Sequence, residues 1–179
     1  MSIELLAKQG RDRVHGGLAS IDSAKLRQLR DQSIRSCFTR LEETSNRMEH
    51  VARIYSKVFI NDAAARSINA TYYTLQNTEG NIVWIAFGDD KTADYTRLRA
   101  LVMLKVSMLI CVGSDNSHII NQLEGCVPAI KEFDTISAAV HHACYYAAEN
   151  SKVIFSPATS QGPSSEEASR IYRHEVNEL

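Results

Sequence analysis

A chain of 179 residues, 44% of them hydrophobic and 23% charged, suits one ordinary globular domain with a small appendage, and a core of that size holds together without metal or disulfide. The formal net charge of -1 leaves no basic footprint for nucleic acid or an anionic membrane surface. With no apolar run long enough to span a bilayer and no basic start before an apolar signal core, the expectation is a soluble, cytoplasmic protein.

The chain begins with a stretch, Met1 to Asp22, that carries Gly10, Gly16 and Gly17 among mixed charges and sustains no periodicity. It reads as a loosely attached extension with a short helix over Ile3 to Lys8. A firmer helix is expected from Ser23 to Glu42, where Leu26, Leu29, Ile34, Cys37, Phe38 and Leu41 recur at helical spacing. Residues 1–45 therefore form a helical N-terminal extension, and its long helix is a candidate for self-association. The arginines of its other face read as a solvated surface.

Two β-rich runs follow, Glu49 to Ile54 and Lys57 to Asn61, with only Tyr55-Ser56 between them. So short a connection permits antiparallel pairing alone, which makes a hairpin. After Asp62 a helix carrying Ile68, Tyr72 and Leu75 is expected. Strands and helices then alternate: strand Asn81 to Ala86, helix Tyr95 to Leu104, strand Met108 to Val112, and helix Asp115 to Leu123 capped by Ser114 or Asp115. Strand Val127 to Glu132 comes next, then helix Thr135 to Glu149 with the apolar stripe Ile136, Ala139, Val140, Ala143, Cys144 and Ala147. Strand Lys152 to Phe155 and helix Ser164 to Val176 complete the chain. Connections of this length are crossovers, which give a parallel sheet covered by helices on both faces. The fold class is α/β: a Rossmann-like domain over residues 46–179, with a mixed, mostly parallel sheet of six strands, one of them out of sense in the hairpin.

Cys37, Cys111, Cys126 and Cys144 are widely spaced and form no paired metal motif, so they read as reduced structural thiols. His141-His142 does not make a helical metal pair, because adjacent positions point roughly 100° apart. The phosphate-loop and dinucleotide fingerprints are both missing, and no nucleophile elbow surrounds Ser156 or Ser160. No metal or catalytic residue is assigned. What alternation does provide is a common address. Asp62, Gly88 to Lys91, Gly113 to Asp115 and Ser156 each fall just past a strand end, and in a parallel sheet they converge on the edge where α/β folds bind ligands.

Four ordered landmarks carry a resemblance. Arg47-Met48-Glu49-His50-Val51, Phe59-Ile60-Asn61-Asp62, the run from Trp84 through Gly88-Asp89-Asp90-Lys91 to Tyr95, and Phe155-Ser156-Pro157-Ala158 together resemble the carboxyl-terminal domain of the Mur ligases. The similarity is greatest to the enzymes that add D-glutamate to UDP-N-acetylmuramoyl-L-alanine. The resemblance implies a setting in peptidoglycan precursor synthesis. Family members join an amino acid to a UDP-muramoyl substrate through an acyl-phosphate, using ATP and magnesium, and their last domain brings the amino acid and part of the nucleotide site. On that basis Lys91 and Ser160 correspond to substrate-binding positions, and Arg47 and Asp62 to nucleotide-binding ones.

Departures from the family pattern concern the same positions. Where the family has a lysine facing the phosphates and a threonine near the amino acid, this chain has Ala64 and Arg66. Phe87 replaces a glycine beside the Gly88 to Lys91 loop, and the segment from Ser156 to Ser165 is shorter than its family counterpart. The chain carries no phosphate loop, and this domain by itself requires no cofactor. The expectation is a stand-alone, degenerate member that acts as a ligand-binding or protein-interaction module, with a ligase or another cell-wall protein as partner. The alternative is one component of a split ATP-dependent amide ligase acting on D-glutamate or another acidic amino acid.

Overall fold

A computed structural model of the protein describes residues 46–179. The expected helix over Ser23 to Glu42, the extension before it, and Cys37 lie outside the described residues. The hairpin forms as expected: β1, Glu49–Ile54, and β2, Lys57–Asn61, pair antiparallel around Tyr55 and Ser56. Both turn residues have positive φ, 46° and 65°, the hand that matches the twist of the flanking strands. A side chain makes that conformation costly. Replacing Tyr55-Ser56 by Asn-Gly is therefore expected to raise stability by about 1 kcal/mol, read as a higher midpoint of urea unfolding with an unchanged slope.

The remaining strands are β3, Ile82–Phe87, β4, Val106–Val112, β5, Ala129–Phe133, and β6, Lys152–Phe155. They assemble in the order β1-β2-β6-β3-β4-β5, and every pairing except β1 with β2 is parallel. β3 is buried along its whole length because it lies between β6 and β4 with helices over both faces. That position explains its unbroken apolar sequence.

The helices are α1, Ile68–Asn77, α2, Arg99–Lys105, α3, Ser117–Leu123, α4, Ile136–Tyr146, and α5, Ser165–Asn177. From β2 through β5 the chain advances in one direction along the sheet. Right-handed crossovers then place α1, α2 and α3 on one face, where Leu75, Val102, Ile119 and Leu123 pack with Trp84 and Leu109. Between β5 and β6 the direction reverses. α4 and α5 accordingly cover the other face, packing Val140, Ala143 and Tyr172 with Ile85, Ile110 and Phe155. Tyr172 stacks on Phe155 at a centroid distance of 5.2 Å and donates its hydroxyl to the Val153 carbonyl at 3.2 Å.

The helix expected around Ile68, Tyr72 and Leu75 forms as α1, and its buried residues are Thr71, Thr74 and Leu75. Several other sequence expectations need correction. The single helix expected over Tyr95 to Leu104 is a 3-10 turn, Tyr95–Leu98, followed by α2. Its tight start is set by Gln122 Oε1, which accepts from the Tyr95 and Thr96 amides at 2.6 and 3.2 Å. α3 begins after Asn116 and not after Ser114 or Asp115, and α4 stops at Tyr146 because Ala147 turns extended. β3 and β5 sit slightly further along the chain than expected, and β4 starts earlier, at Val106. Cys111, Cys126 and Cys144 are buried free thiols, and burial pushes the Cys111 thiol up to about 12.

Candidate functional site

Because β2, β6, β3, β4 and β5 run parallel, their carboxyl ends share one edge, and the expected convergence occurs there. The Asp62 amide donates to the Phe155 carbonyl at 2.8 Å, Ser156 to Ile85 at 3.0 Å, Gly88 to Val112 at 3.0 Å and Gly113 to Phe133 at 3.0 Å. Each bond extends a strand pairing by one step before the chain leaves the sheet. The indole of Trp84 donates to the Ser156 carbonyl at 2.9 Å, fixing the start of the segment after β6.

The Gly88 to Lys91 loop is stitched to its neighbours by carboxylates. Asp89 Oδ1 accepts from Ser114 Oγ at 3.1 Å and from the Asp115 amide at 2.9 Å. Asp90 turns the other way. Its Oδ1 accepts from the Thr92 amide and hydroxyl, and its Oδ2 from Thr159 Oγ1 at 2.6 Å. Burial works to raise the Asp90 pKa, but the hydrogen bonds from Thr159 and Thr92 outweigh it and hold the carboxyl below its ordinary value. Asp90 thereby ties the loop after β3 to the loop after β6.

Lys91 stands at this edge with its side chain 68% exposed, paired with Asp115 at 2.7 Å. The Asp115 hydrogen bond and charge raise the lysine above its ordinary value and depress the carboxyl in return. Such an exposed pair stabilises the fold little, which leaves Lys91 available to a ligand.

Arg47 and Asp62, the two positions expected at a nucleotide, are partners of one another. Arg47 Nε lies 3.3 Å from Asp62 Oδ1, and the Asp62 side chain is fully buried. The same carboxylate accepts from the Met48 amide at 3.2 Å and from the Thr74 hydroxyl. Burial raises the Asp62 pKa, while Thr74, Arg47, Met48 and Ser156 pull it back. All of these partners come from the chain itself. Asp62 therefore pins the entry to β1 and the middle of α1 to the end of β2. The neighbouring Asn61 does comparable work, donating to Glu49 Oε2 at 2.8 Å and Ser169 Oγ at 2.7 Å.

Ser160 is exposed, and its carbonyl accepts from the Arg66 guanidinium. Arg66 also donates to the carbonyls of Pro163 and, at 3.1 Å, Gln161. One side chain thus holds the segment between β6 and α5 at three points. Phe87 supports it from the sheet side, since its ring meets Phe155 edge-on at 5.6 Å and leaves only 3.7 Å to a Cβ placed on Gly162. Among the described residues no hydrogen bond or ion pair joins the Arg47–Asp62 pair to Lys91. The edge holds two separate clusters.

Sequence reasoning placed Asp90 within the Gly88 to Lys91 loop without a partner, and it missed Thr159 and Asn116 as site-building residues. The Asp90-Lys91-Thr92 order is a recognisable Asx-turn signal. Nothing in the sequence marks Thr159 as the partner of Asp90. Asn116 is found through a glycine: a Cβ on Gly88 would lie 2.0 Å from Asn116 Oδ1, so the two residues are packed face to face. Among the described residues no group of three or more acidic, histidine or cysteine side chains is placed to hold a metal. None of their helices is long and apolar enough to cross a membrane.

No protein-family profile matches the chain. Individual proteins do. The UDP-N-acetylmuramoylalanine–D-glutamate ligase of Christiangramia forsetii is 34% identical over 153 residues, which are 86% of this chain and 34% of that enzyme. The ligase of the same name from Porphyromonas gingivalis is 32% identical over 158 residues, 88% of this chain and 35% of the enzyme. The chain thus spans about a third of the length of the curated relatives it matches. Among solved structures, a murein peptide ligase from Psychrobacter arcticus superposes with a TM-score of 0.52 at 11% identity, over 75% of this chain and 30% of that one. A domain of a UDP-N-acetylmuramate:L-alanyl-γ-D-glutamyl-meso-diaminopimelate ligase from Haemophilus ducreyi superposes at 0.50 and 10% identity, over 73% of this chain and 99% of that domain. At those identities the likeness shows the fold alone. By sequence relationship and by fold together, the chain belongs to the Mur ligase family as a homologue of its D-glutamate-adding members, and its described residues form a domain of the family's carboxyl-terminal type.

Proposed function

We propose that this domain serves peptidoglycan precursor synthesis as a binding module and does not itself carry out ligation. The observation that supports this reading is the Arg66 guanidinium seated on the carbonyls of Ser160, Gln161 and Pro163. The resemblance to the ligases places Ser160, on that segment, at a substrate-binding position. Here a side chain of the domain already holds it, and the chain's own cation stands where a threonine would face the substrate. The nucleotide side is closed in the same manner. Ala64 offers a phosphate neither charge nor hydrogen bond, and Asp62 is engaged by Arg47, Met48 and Thr74.

A second reading has one observation in its favour. Lys91 is exposed at the edge, with only Asp115 against it, so an acidic amino acid could displace that carboxylate. On this reading the domain completes a ligase in trans, with ATP and magnesium bound by the partner. Calorimetric titration with ADP, D-glutamate and a UDP-muramoyl peptide separates the two. The module reading expects no saturable heat for any of the three up to millimolar concentration. Saturable D-glutamate binding that weakens tenfold or more in Lys91→Ala would overturn it in favour of the split ligase. Lys91→Ala is expected to leave the melting temperature within about 1 °C, because the exposed pair it breaks stabilises the fold so little.

A further inference from the structure

A cleft of about 430 Å³ opens at the same carboxyl edge, on the face covered by α4 and α5. That volume falls within the range of about 300 to 1,000 Å³ usual for small-molecule sites. Its walls are apolar, built from Phe87 and Val112 at the tips of β3 and β4, Ile136 at the start of α4, Pro163, and Ile171 of α5. The chain from Gln161 to Pro163 forms one wall, and Arg66 holds that wall from behind. The cleft is therefore shaped before any ligand arrives.

Two carboxylates, Asp89 and Asp134, stand on its lining, and both residues are exposed. Neither belongs to an ion pair among the described residues. Asp89 uses one oxygen to accept from Ser114 and the Asp115 amide, while its other oxygen lies over Gly113. Of the nearby cations, Lys91 pairs with Asp115 and also interacts with the Asp89 charge, and Arg66 sits on the loop carbonyls. An apolar floor with two carboxylates beside it that stand in no direct ion pair disfavours anions and favours an amine.

We propose that this cleft binds a small organic cation, a flat apolar body of one or two rings that carries a protonated amine. The rings lie between Phe87 and Ile171, and the ammonium reaches Asp89 and Asp134. The proposal rests on the binding-module reading, and it assigns that module a ligand class opposite in charge to D-glutamate and to nucleotide phosphates. Asp89 and Asp134 set the sign of that charge, and Phe87 supplies the aromatic wall. A glycine in its place would remove the aromatic wall.

The test uses the full chain and three matched probes, 2-naphthylmethylamine, 2-naphthalenemethanol and 2-naphthoate, followed by backbone-amide NMR. The amine is expected to give saturable shifts confined to residues 87–89, 112–113, 134–137 and 161–162. The alcohol is expected to bind about fivefold more weakly, the gain available from partly exposed charge pairs, and the carboxylate most weakly. Asp89→Asn with Asp134→Asn should bring the amine to the level of the alcohol while leaving the alcohol unchanged. Ile171→Trp, which fills the cleft, should abolish binding of all three, with circular dichroism verifying the fold. The proposal is overturned if no probe gives saturable shifts, if the shifts map elsewhere, or if the double variant leaves the amine's advantage intact. D-glutamate added to the same sample distinguishes the two levels: shifts at Lys91 would overturn the module reading whatever the naphthyl probes do.

Discussion

Gly88→Ala is expected to destabilise the domain by about 3 kcal/mol, at the upper end of what overpacking costs. Gly88 has an ordinary backbone conformation, so conformational freedom is not the reason. Space is the reason. A Cβ there would lie 2.0 Å from Asn116 Oδ1 and 2.9 Å from the Asn116 Cα. The side chain cannot simply rotate away, because Asn116 Nδ2 donates to the Gly113 carbonyl at 3.2 Å and to Glu132 at 3.3 Å, and the Cα belongs to the start of α3. The tips of β3 and β4 must therefore separate, which breaks the Gly88 to Val112 hydrogen bond and lifts the Asp89 to Asp115 stitching with it. Thermal unfolding should register a drop of about 10 °C for a domain of this size. A drop of less than about 2 °C would mean that α3 shifts freely against the strand tips.

Asp62→Ala is expected to cost a similar amount, about 3 kcal/mol, for an electrostatic reason. Alanine leaves the Met48 amide and the Thr74 hydroxyl without their acceptor and removes the carboxylate that Arg47 pairs with. Asp62→Asn keeps an acceptor oxygen and should stay within about 1 kcal/mol of the parent at neutral pH. The pair of variants separates lost hydrogen bonds from lost charge. The pH dependence has a definite sign. Burial raises the folded-state pKa of Asp62 above the ordinary 3.8, so the native state holds a proton more tightly than the unfolded chain. Its contribution is present below the unfolded value and lost as pH rises through the folded one. Asp90 acts in the opposite sense: its lowered pKa stabilises the fold above the ordinary carboxylate value, and acidification removes that contribution. The difference in unfolding free energy between Asp62→Asn and the parent should therefore shift in favour of the asparagine variant as pH rises from 3.5 to 6. A difference that does not change with pH would mean that the Asp62 carboxyl has the same pKa in both states.

Strand identity and pairing sense were legible because they depend on local patterning. The uninterrupted apolar run of β3, the two-residue hairpin turn and the helical stripe of α4 each belong to one stretch of chain, and each element forms, β3 one residue further along and α4 three residues shorter at its end than read. Helix starts were less legible. Asn116 begins α3 without a side-chain cap bond, and the 3-10 turn at Tyr95 depends on Gln122, which no local pattern associates with it.

The candidate site divides along the same line. Alternation alone brought Asp62, Gly88 to Lys91, Gly113 to Asp115 and Ser156 to one edge, and the fold places them there. What it could not convey is which of them are occupied with one another. Arg47 with Asp62, Asp90 with Thr159 and Arg66 with the loop carbonyls are contacts between residues far apart in sequence. The change from a family threonine to Arg66 was visible as a departure. Its consequence, a latch on the segment after β6, depends on where that segment lies in the fold, about 95 residues further along the chain.

That latch is the centre of the account, and hydrogen exchange tests it directly. Exchange of the Ala158 and Gln161 amides, which donate to the Ala65 carbonyl and to Thr159 Oγ1 at 3.0 Å each, should be slow in the parent protein and accelerate about tenfold or more in Arg66→Ala, the change expected when about 1.4 kcal/mol or more of local stabilisation is lost. Exchange in β3 and β6 should stay unchanged, since the guanidinium touches only the loop. A segment that already exchanges at the unprotected rate in the parent, or one indifferent to Arg66→Ala, would contradict the closed edge and reopen the site to an acidic amino acid.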